Sequence, residues 1–300
     1  MTHPAILTGI AMVAFAGNSV LCRLALSTGL IDAASFSMTR TTSGAATLTL
    51  LALLAGRGAG GFTVSWRAAA ALAGYLVSFS YGYLSVTTAT GALILFGTVQ
   101  LTMLTAAWRS GERFGSAAWC GLTLALAGLA YLLAPGLEQP STGGALLMMV
   151  SGLCWGLYSL TGRQTSDPMA ATTGNFLLAV PVTIVLCAPQ LLTGSTVSAP
   201  GLLLATASGA LASACGYAVW FAALPHLSSA QGAVVQLTVP VIAAVGGAVL
   251  LAEPLSLRLL LASAATLGGI WLVLRQRLPA SAGQHTRQAR NSGNRSRKFL

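Results

Sequence analysis

Apolar runs of about 20 residues follow one another along this chain almost without interruption, and nothing else in the sequence constrains the fold so tightly. At about 1.5 Å rise per residue, each run is long enough to cross a hydrocarbon core of about 30 Å. Ten are read, at 4–26, 35–55, 68–87, 89–109, 116–134, 142–162, 170–192, 200–223, 229–251 and 257–275. The connections are too short to house a soluble domain. Charged residues make up 7% of the chain, against about 25% in ordinary soluble domains. A membrane β-barrel would show segments of about ten residues alternating in and out, and these runs are long and continuous instead. The expectation is an all-α integral membrane protein with ten transmembrane helices. The first run imitates a signal peptide at Ala14-Phe15-Ala16, but no basic segment precedes it and it exceeds a signal core in length, so it is kept as a mature helix.

The formal net charge of +10 suggests a nucleic-acid partner until its location is read. Arg275, Arg277, Arg287, Arg290, Arg295, Arg297 and Lys298 cluster at the C-terminal end, where Ser, Gln, Asn and Gly replace the apolar residues. A basic, disordered tail over 278–300 is expected, with anionic lipid as its partner and no nucleic acid. With ten helices both termini share a side, and that side also receives Arg57, Arg67, Arg109, Arg113 and Arg163, leaving Arg23, Arg40 and Arg258 opposite. Basic residues favour the cytoplasmic side. Both termini are therefore expected in the cytoplasm, in a bacterial inner membrane. Cys22, Cys120, Cys154, Cys187 and Cys215 all lie in apolar runs without metal-ligand or redox spacing and read as packing residues.

The second half of the chain echoes the first. Displaced by 141 positions, Ala89, Gly91, Ala92, Ala107, Glu112, Leu126, Gly128 and Leu133 fall on Ala230, Gly232, Ala233, Ala248, Glu253, Leu267, Gly269 and Leu274. Displaced by 140, the first run meets the sixth, pairing Phe15 with Trp155, Ser19 with Ser159 and Arg23 with Arg163. Each copy holds five helices, an odd number, so the second must cross the membrane in the opposite sense. The expected organisation is a first repeat over 1–134, an outer linker at 135–141, an inverted second repeat over 142–277 and the tail at 278–300. Inverted repeats are a common architecture of secondary transporters, with the substrate site near the midplane between the copies.

Further features carry a resemblance. Each half has an aromatic or small pair followed by a base (Phe15 to Arg23, Trp155-Gly156 to Arg163), a short connection with a glutamate (GERFG at 111–115, AEPLS at 252–256), and small residues late in its last helix (Gly128; Gly268-Gly269). Over Pro4 to Arg275 this pattern resembles the EamA-type repeat of the drug/metabolite transporter superfamily, departing from it where Phe15-Ala16 replaces the usual Trp-Gly. The resemblance implies a ten-helix exporter of small metabolites with a cavity lined by the first, third, fourth, sixth, eighth and ninth helices. Among members it points to the YddG-like exporters of aromatic amino acids.

Polar and aromatic residues inside apolar runs are the candidates for a substrate site, since polar groups at membrane depth are tolerated where they face a cavity. In the sixth run Trp155 and Ser159 share a face flanked by Tyr158; in the first, Ser19 shares a face with Phe15, flanked by Asn18. The third run offers Tyr75, Ser78 and Phe79, and the eighth offers Tyr217 and Trp220. Gln100 and Gln236 sit where leucine would cost less and are candidates to bond a substrate's amino or carboxylate group. The competing reading makes these residues helix-packing contacts and places Tyr83 and Trp220 in an interfacial belt.

Asp32, Glu112, Glu138, Asp167 and Glu253 are the only acids, and all fall in connections or at helix ends. The two repeat-matched glutamates read as turn residues serving the amides of the fifth and tenth helices, and Arg23 as a snorkelling side chain. No base is expected at the midplane. The histidines, His3, His226 and His285, assemble no catalytic or metal constellation. The expectation is a monomeric, non-enzymatic transporter with no cofactor, whose substrate is a small, mostly zwitterionic metabolite, an amino acid with an apolar or aromatic side chain. Without an intramembrane acid, facilitated rather than proton-coupled movement is expected. Amphipathic drugs are the alternative substrate; a membrane enzyme or a channel is the remote one.

Overall fold

The computed structural model describes residues 2–56, 61–136, 139–162, 167–227 and 229–275. Arg57, Glu138, Arg163, Arg277 and the tail at 278–300 lie outside them, as do positions 137 and 138 of the expected linker. The described residues form helices and no named strand: α1 (Thr2–Ser27), α2 (Ala33–Leu54), α3 (Trp66–Gly82), α4 (Thr88–Arg109), α5 (Ser116–Leu133), α6 (Thr142–Gly162), α7 (Pro168–Thr193), α8 (Ala199–Ala207), α9 (Gly216–Ala223), α10 (Ser229–Gln236), α11 (Thr238–Leu251) and α12 (Leu257–Arg275). A π-helical segment, Ser208–Cys215, joins α8 to α9, so that Ala199–Ala223 is one continuous span.

Eight segments among the described residues are long and apolar enough to cross a membrane. The second and third expected runs are helices that fall outside that set, for different reasons. α2 carries Arg40 amid seven serines and threonines between Ser35 and Thr47, and α3 is 17 residues long. The ninth expected run breaks at Leu237, between α10 and α11. Pro240 has no N–H to give the carbonyl of residue 236, which weakens the helix at this point. Pro181 and Pro189, by contrast, lie inside an uninterrupted α7.

The outer surface is what lipid requires. Leu54, Leu203, Val185 and Val249 are each more than 70% exposed, and a helix meets hydrocarbon without penalty because its backbone bonds are internal. Inside, close helix contact depends on small residues. α12 packs along α5, and a Cβ at Gly121 would stand 2.5 Å from the Gly269 carbonyl oxygen, as one at Gly128 would stand 2.6 Å from Thr266 Oγ1. α3 packs on α6 and α7, α4 on α6 and α11, and α1 on α9 and α11. α1, α3, α6 and α9 thus bring their aromatic residues to a common centre.

Side chains lock the ends. Asp32 caps α2 by accepting from Ser35 N at 2.9 Å and also accepts from Thr196 N at 3.0 Å, and Ser198 N donates to Leu30 O at 2.9 Å. The α1–α2 turn is thereby sewn to the connection between α7 and α8. At the other end of the bundle Asn175 of α7 accepts from Ser65 N at 3.0 Å, fixing the start of α3.

Candidate functional site

The aromatic residues make a ladder through the bundle. Trp220 meets Phe15 at 6.1 Å between centroids, Phe15 meets Tyr217 at 5.7 Å, and Tyr217 stacks on Trp155 at 5.3 Å with 18° between planes. Trp155 then meets Tyr75 at 4.9 Å, Tyr75 meets Phe79 at 5.6 Å, and Phe79 meets Tyr83 edge-on at 4.8 Å. Such pairs hold one another's rotamers and present flat apolar walls.

Along the upper rungs lies a cavity of about 410 Å³ lined by Phe15, Met103, Trp155, Tyr158, Ser159, Thr172, Asn175, Tyr217, Trp220 and Gln236 among others. The volume is that of a small-molecule site. Pro168, which opens α7, and Leu227, in the connection after α9, also line it. It therefore reaches the end of the bundle where α4 and α6 finish and α7 begins. Below it Phe15, Trp155 and Tyr217 continue into a narrow recess shared with Asn18, Tyr75, Phe79, Leu95 and Phe96.

The opposite end is shut. Arg23 Nε donates to Glu253 Oε1 at 3.0 Å, and Arg23 Nη1 donates to the carbonyl of Tyr83 at 2.8 Å. Glu253 Oε2 accepts from Thr88 N at 2.7 Å. One ion pair thus clasps the end of α1, the α3–α4 turn and the connection after α11. Glu253 caps the start of α4 rather than serving the last helix as expected, because the left-handed turn at Ala252 (φ 53°) directs the chain across the bundle end. Arg23 does not snorkel, since Glu253 and the carbonyls of Tyr83 and Leu84 hold it. Tyr83 is fully buried rather than interfacial.

Of the twelve residues singled out by sequence, Trp155, Tyr158, Ser159, Tyr217, Trp220 and Gln236 line the cavity, and Asn18, Tyr75 and Phe79 join Trp155 and Tyr217 around the recess. Several of their polar atoms have protein partners. Asn18 Oδ1 accepts from Ser208 and Ser213 at 2.8 and 3.2 Å, Tyr158 donates to Thr172 Oγ1 at 3.2 Å, and Ser159 and Gln236 donate to their own helices. Ser19, Ser78 and Gln100 are not lining residues of either space. Ser19 is buried, Ser78 donates back to Gly74 O at 2.5 Å, and Gln100 Nε2 donates to Ala233 O at 3.3 Å, tying α4 to α10.

Arg40, which the charge distribution assigns to the outer side, is fully buried in α2, about 10 Å beyond the helix start by rise per residue. The sequence signal is an arginine inside an apolar run, which ordinarily marks function. Phe15, which shares its face with Ser19, lines the cavity too, and so do Thr172 and Asn175, which were not singled out for it. Thr172 and Asn175 lie early in α7, whose sequence carries no aromatic signal.

The profile of the EamA-like transporter family matches residues 142–275. An uncharacterized protein of Pseudomonas aeruginosa, PA1977, is 51% identical over 280 residues, spanning 92% of this chain and 96% of its own length. A crystal structure of a protein superposes with a TM-score of 0.63 at 20% identity, covering 91% of this chain and 99% of that one, a likeness of fold alone.

Proposed function

Because the chain belongs to the EamA-like transporter family of membrane proteins, we propose that it exports a small metabolite with an apolar or aromatic side chain by alternating access. The observation that carries this reading is an aromatic-walled cavity of about 410 Å³ reaching one end of the bundle while the Arg23–Glu253 clasp closes the other. A pore would be continuous; here one end is open and one closed. In this reading two inverted five-helix repeats, 1–134 and 142–277 joined by the 135–141 linker, rock about the cavity, and ten helices cross the inner membrane. The clasp joins the first repeat, through Arg23 and Thr88, to the second, through Glu253, so its release lets the copies separate.

Positive-inside bias supports placing the open end in the cytoplasm, with both termini and the 278–300 tail. The conformation would then be inward-open, ready to load. Trp155, Tyr217, Trp220 and Tyr158 wall the side chain of the substrate, while Gln236, Ser159, Asn18 and Tyr75 supply polar anchors. Ser19, Ser78 and Gln100 would act through helix packing. Asp32 and Asp167 are engaged as helix caps, which supports movement down the substrate's own gradient; the proposed working unit is a monomer. YddG-like selectivity for aromatic amino acids is the finer form of this proposal, and amphipathic drugs are the competing substrates.

The test is counterflow in proteoliposomes with amino acids, nucleosides and amphipathic drugs. The reading expects saturable exchange of one class, reduced at least tenfold by Trp155→Ala and largely retained by Trp155→Phe. Exchange untouched by Trp155→Ala in a folded protein would move the site elsewhere.

A further inference from the structure

Arg40 leaves the interior electrically incomplete. Its Nη2 donates to the Tyr75 hydroxyl at 2.9 Å and its Nε to Ser213 Oγ at 3.3 Å, while its Nη1, fully buried, has no hydrogen-bond partner. The rings of Phe79 and Tyr75 lie 4.6 and 5.3 Å from the guanidinium carbon. No carboxylate among the described residues stands within ion-pair distance of it. A guanidinium stays charged at any accessible pH and carries five donors. Buried charges are ordinarily paired, and neither ring faces nor neutral hydroxyls supply a counter-charge.

The surroundings are arranged rather than incidental. The π-helical Ser208–Cys215 segment brings Ser208 and Ser213 to Asn18, so Ser213 joins Asn18 to Arg40. π segments recur at functional sites. At Gly209 in the same segment an added Cβ would collide with the Arg40 carbonyl oxygen and Ser43 Oγ, so α2 is seated hard against it. Two residues in contact with the guanidinium, Tyr75 and Phe79, are walls of the recess that continues from the main cavity.

Resting on the transporter reading above, we propose that Arg40 and Tyr75 form an anion subsite at the floor of the cavity, and that it takes the carboxylate of a small monocarboxylate substrate whose apolar part lies among Trp155, Tyr217 and Phe15. In this conformation the recess offers about 10 Å³, room for one water at most, so the carboxylate enters as Tyr75 turns off the guanidinium. That movement frees Nη2 beside the already free Nη1. Two parallel N–H donors then match the two carboxylate oxygens, the fork geometry that a lysine cannot provide. A single cation in an aromatic setting suits a monoanion; a phosphate dianion would call for a second base, and Arg23 is engaged with Glu253.

The experiment titrates the purified full-length protein in detergent, by intrinsic tryptophan fluorescence, with 3-phenylpropanoate, L-phenylalanine, L-phenylalaninamide and phenethylamine. The two carboxylates are expected to bind at least tenfold tighter than the amide and the amine. Arg40→Gln is expected to bring that ratio close to one. Arg40→Lys, which keeps the charge and loses the fork, lowers the ratio at least threefold and serves where Arg40→Gln does not fold. A merely structural arginine would change stability and leave the ratio alone, so an unchanged ratio in a folded Arg40 variant overturns the proposal. Failure of all four probes to bind overturns it too, as does displacement of 3-phenylpropanoate by inorganic phosphate but not by benzoate. Carboxylate-selective binding without flux in proteoliposomes would sink the transporter reading and leave the subsite standing; flux indifferent to the carboxylate would do the reverse.

Discussion

Replacing Glu253 with glutamine should open the closed end of the bundle. The side chains of Arg23 and Glu253 are 19% and 10% exposed, so the pair lies between exposed ones, worth about 0–1 kcal/mol, and buried ones, whose disruption costs about 3–5 kcal/mol. Glu253 accepts two hydrogen bonds, from Arg23 Nε at 3.0 Å and from Thr88 N at 2.7 Å, one through each oxygen. Glutamine has one oxygen, so it keeps one of the two bonds and loses the charge that strengthens both. Bonds to charged groups contribute about 1.5–3 kcal/mol against about 0.5–1.5 for neutral ones. A loss of about 2 kcal/mol from the closed state follows, which raises the open fraction about thirtyfold. Cys22, fully buried beside Arg23, is a built-in reporter once Cys120, Cys154, Cys187 and Cys215 are replaced by alanine. Its rate of reaction with a charged maleimide should rise about thirtyfold in Glu253→Gln. Arg23→Gln should raise it comparably, and the double variant should add little, since both substitutions remove one interaction. A rate within threefold of the parent, in a protein that melts normally, would refute the clasp.

Gly121→Val should lower the melting temperature in detergent by several degrees, because the added carbons meet the Gly269 carbonyl and overpacking costs about 1–3 kcal/mol; an unchanged midpoint would mean that α5 and α12 can part. Asp32→Ala removes the cap on α2 and the bond to Thr196, an expected loss of about 0.5–2 kcal/mol, read as a lower midpoint that Asp32→Asn restores only in part, since asparagine keeps one of the two acceptor oxygens. Imposing a pH gradient at clamped voltage should not drive uphill accumulation in proteoliposomes; accumulation abolished by neutralising a single acid would establish proton coupling.

The segments and their chemistry were open to inspection from the residues alone. Apolar length decides that these runs become helices in lipid, because each must satisfy its own backbone bonds, and aromatic or amide side chains within them stand out where leucine would cost less. That logic marked Trp155, Tyr158, Tyr217 and Gln236, all of which the fold brings to one cavity. It also marked Gln100 and Ser78, whose partners turned out to be Ala233 and Gly74, because a polar residue in an apolar run announces that it needs a partner and not who the partner is. Arg40 shows the limit from the other direction. Its place inside an apolar run is readable, but its burial is decided by the packing of α2 against its neighbours, α7 and the π segment among them. Glu253 belongs with it: its own helix-end position was readable, but its partners, Arg23 and Thr88, are 230 and 165 residues away. Contacts of that separation are settled by which helices lie side by side, a property of the assembled bundle rather than of any stretch of the chain.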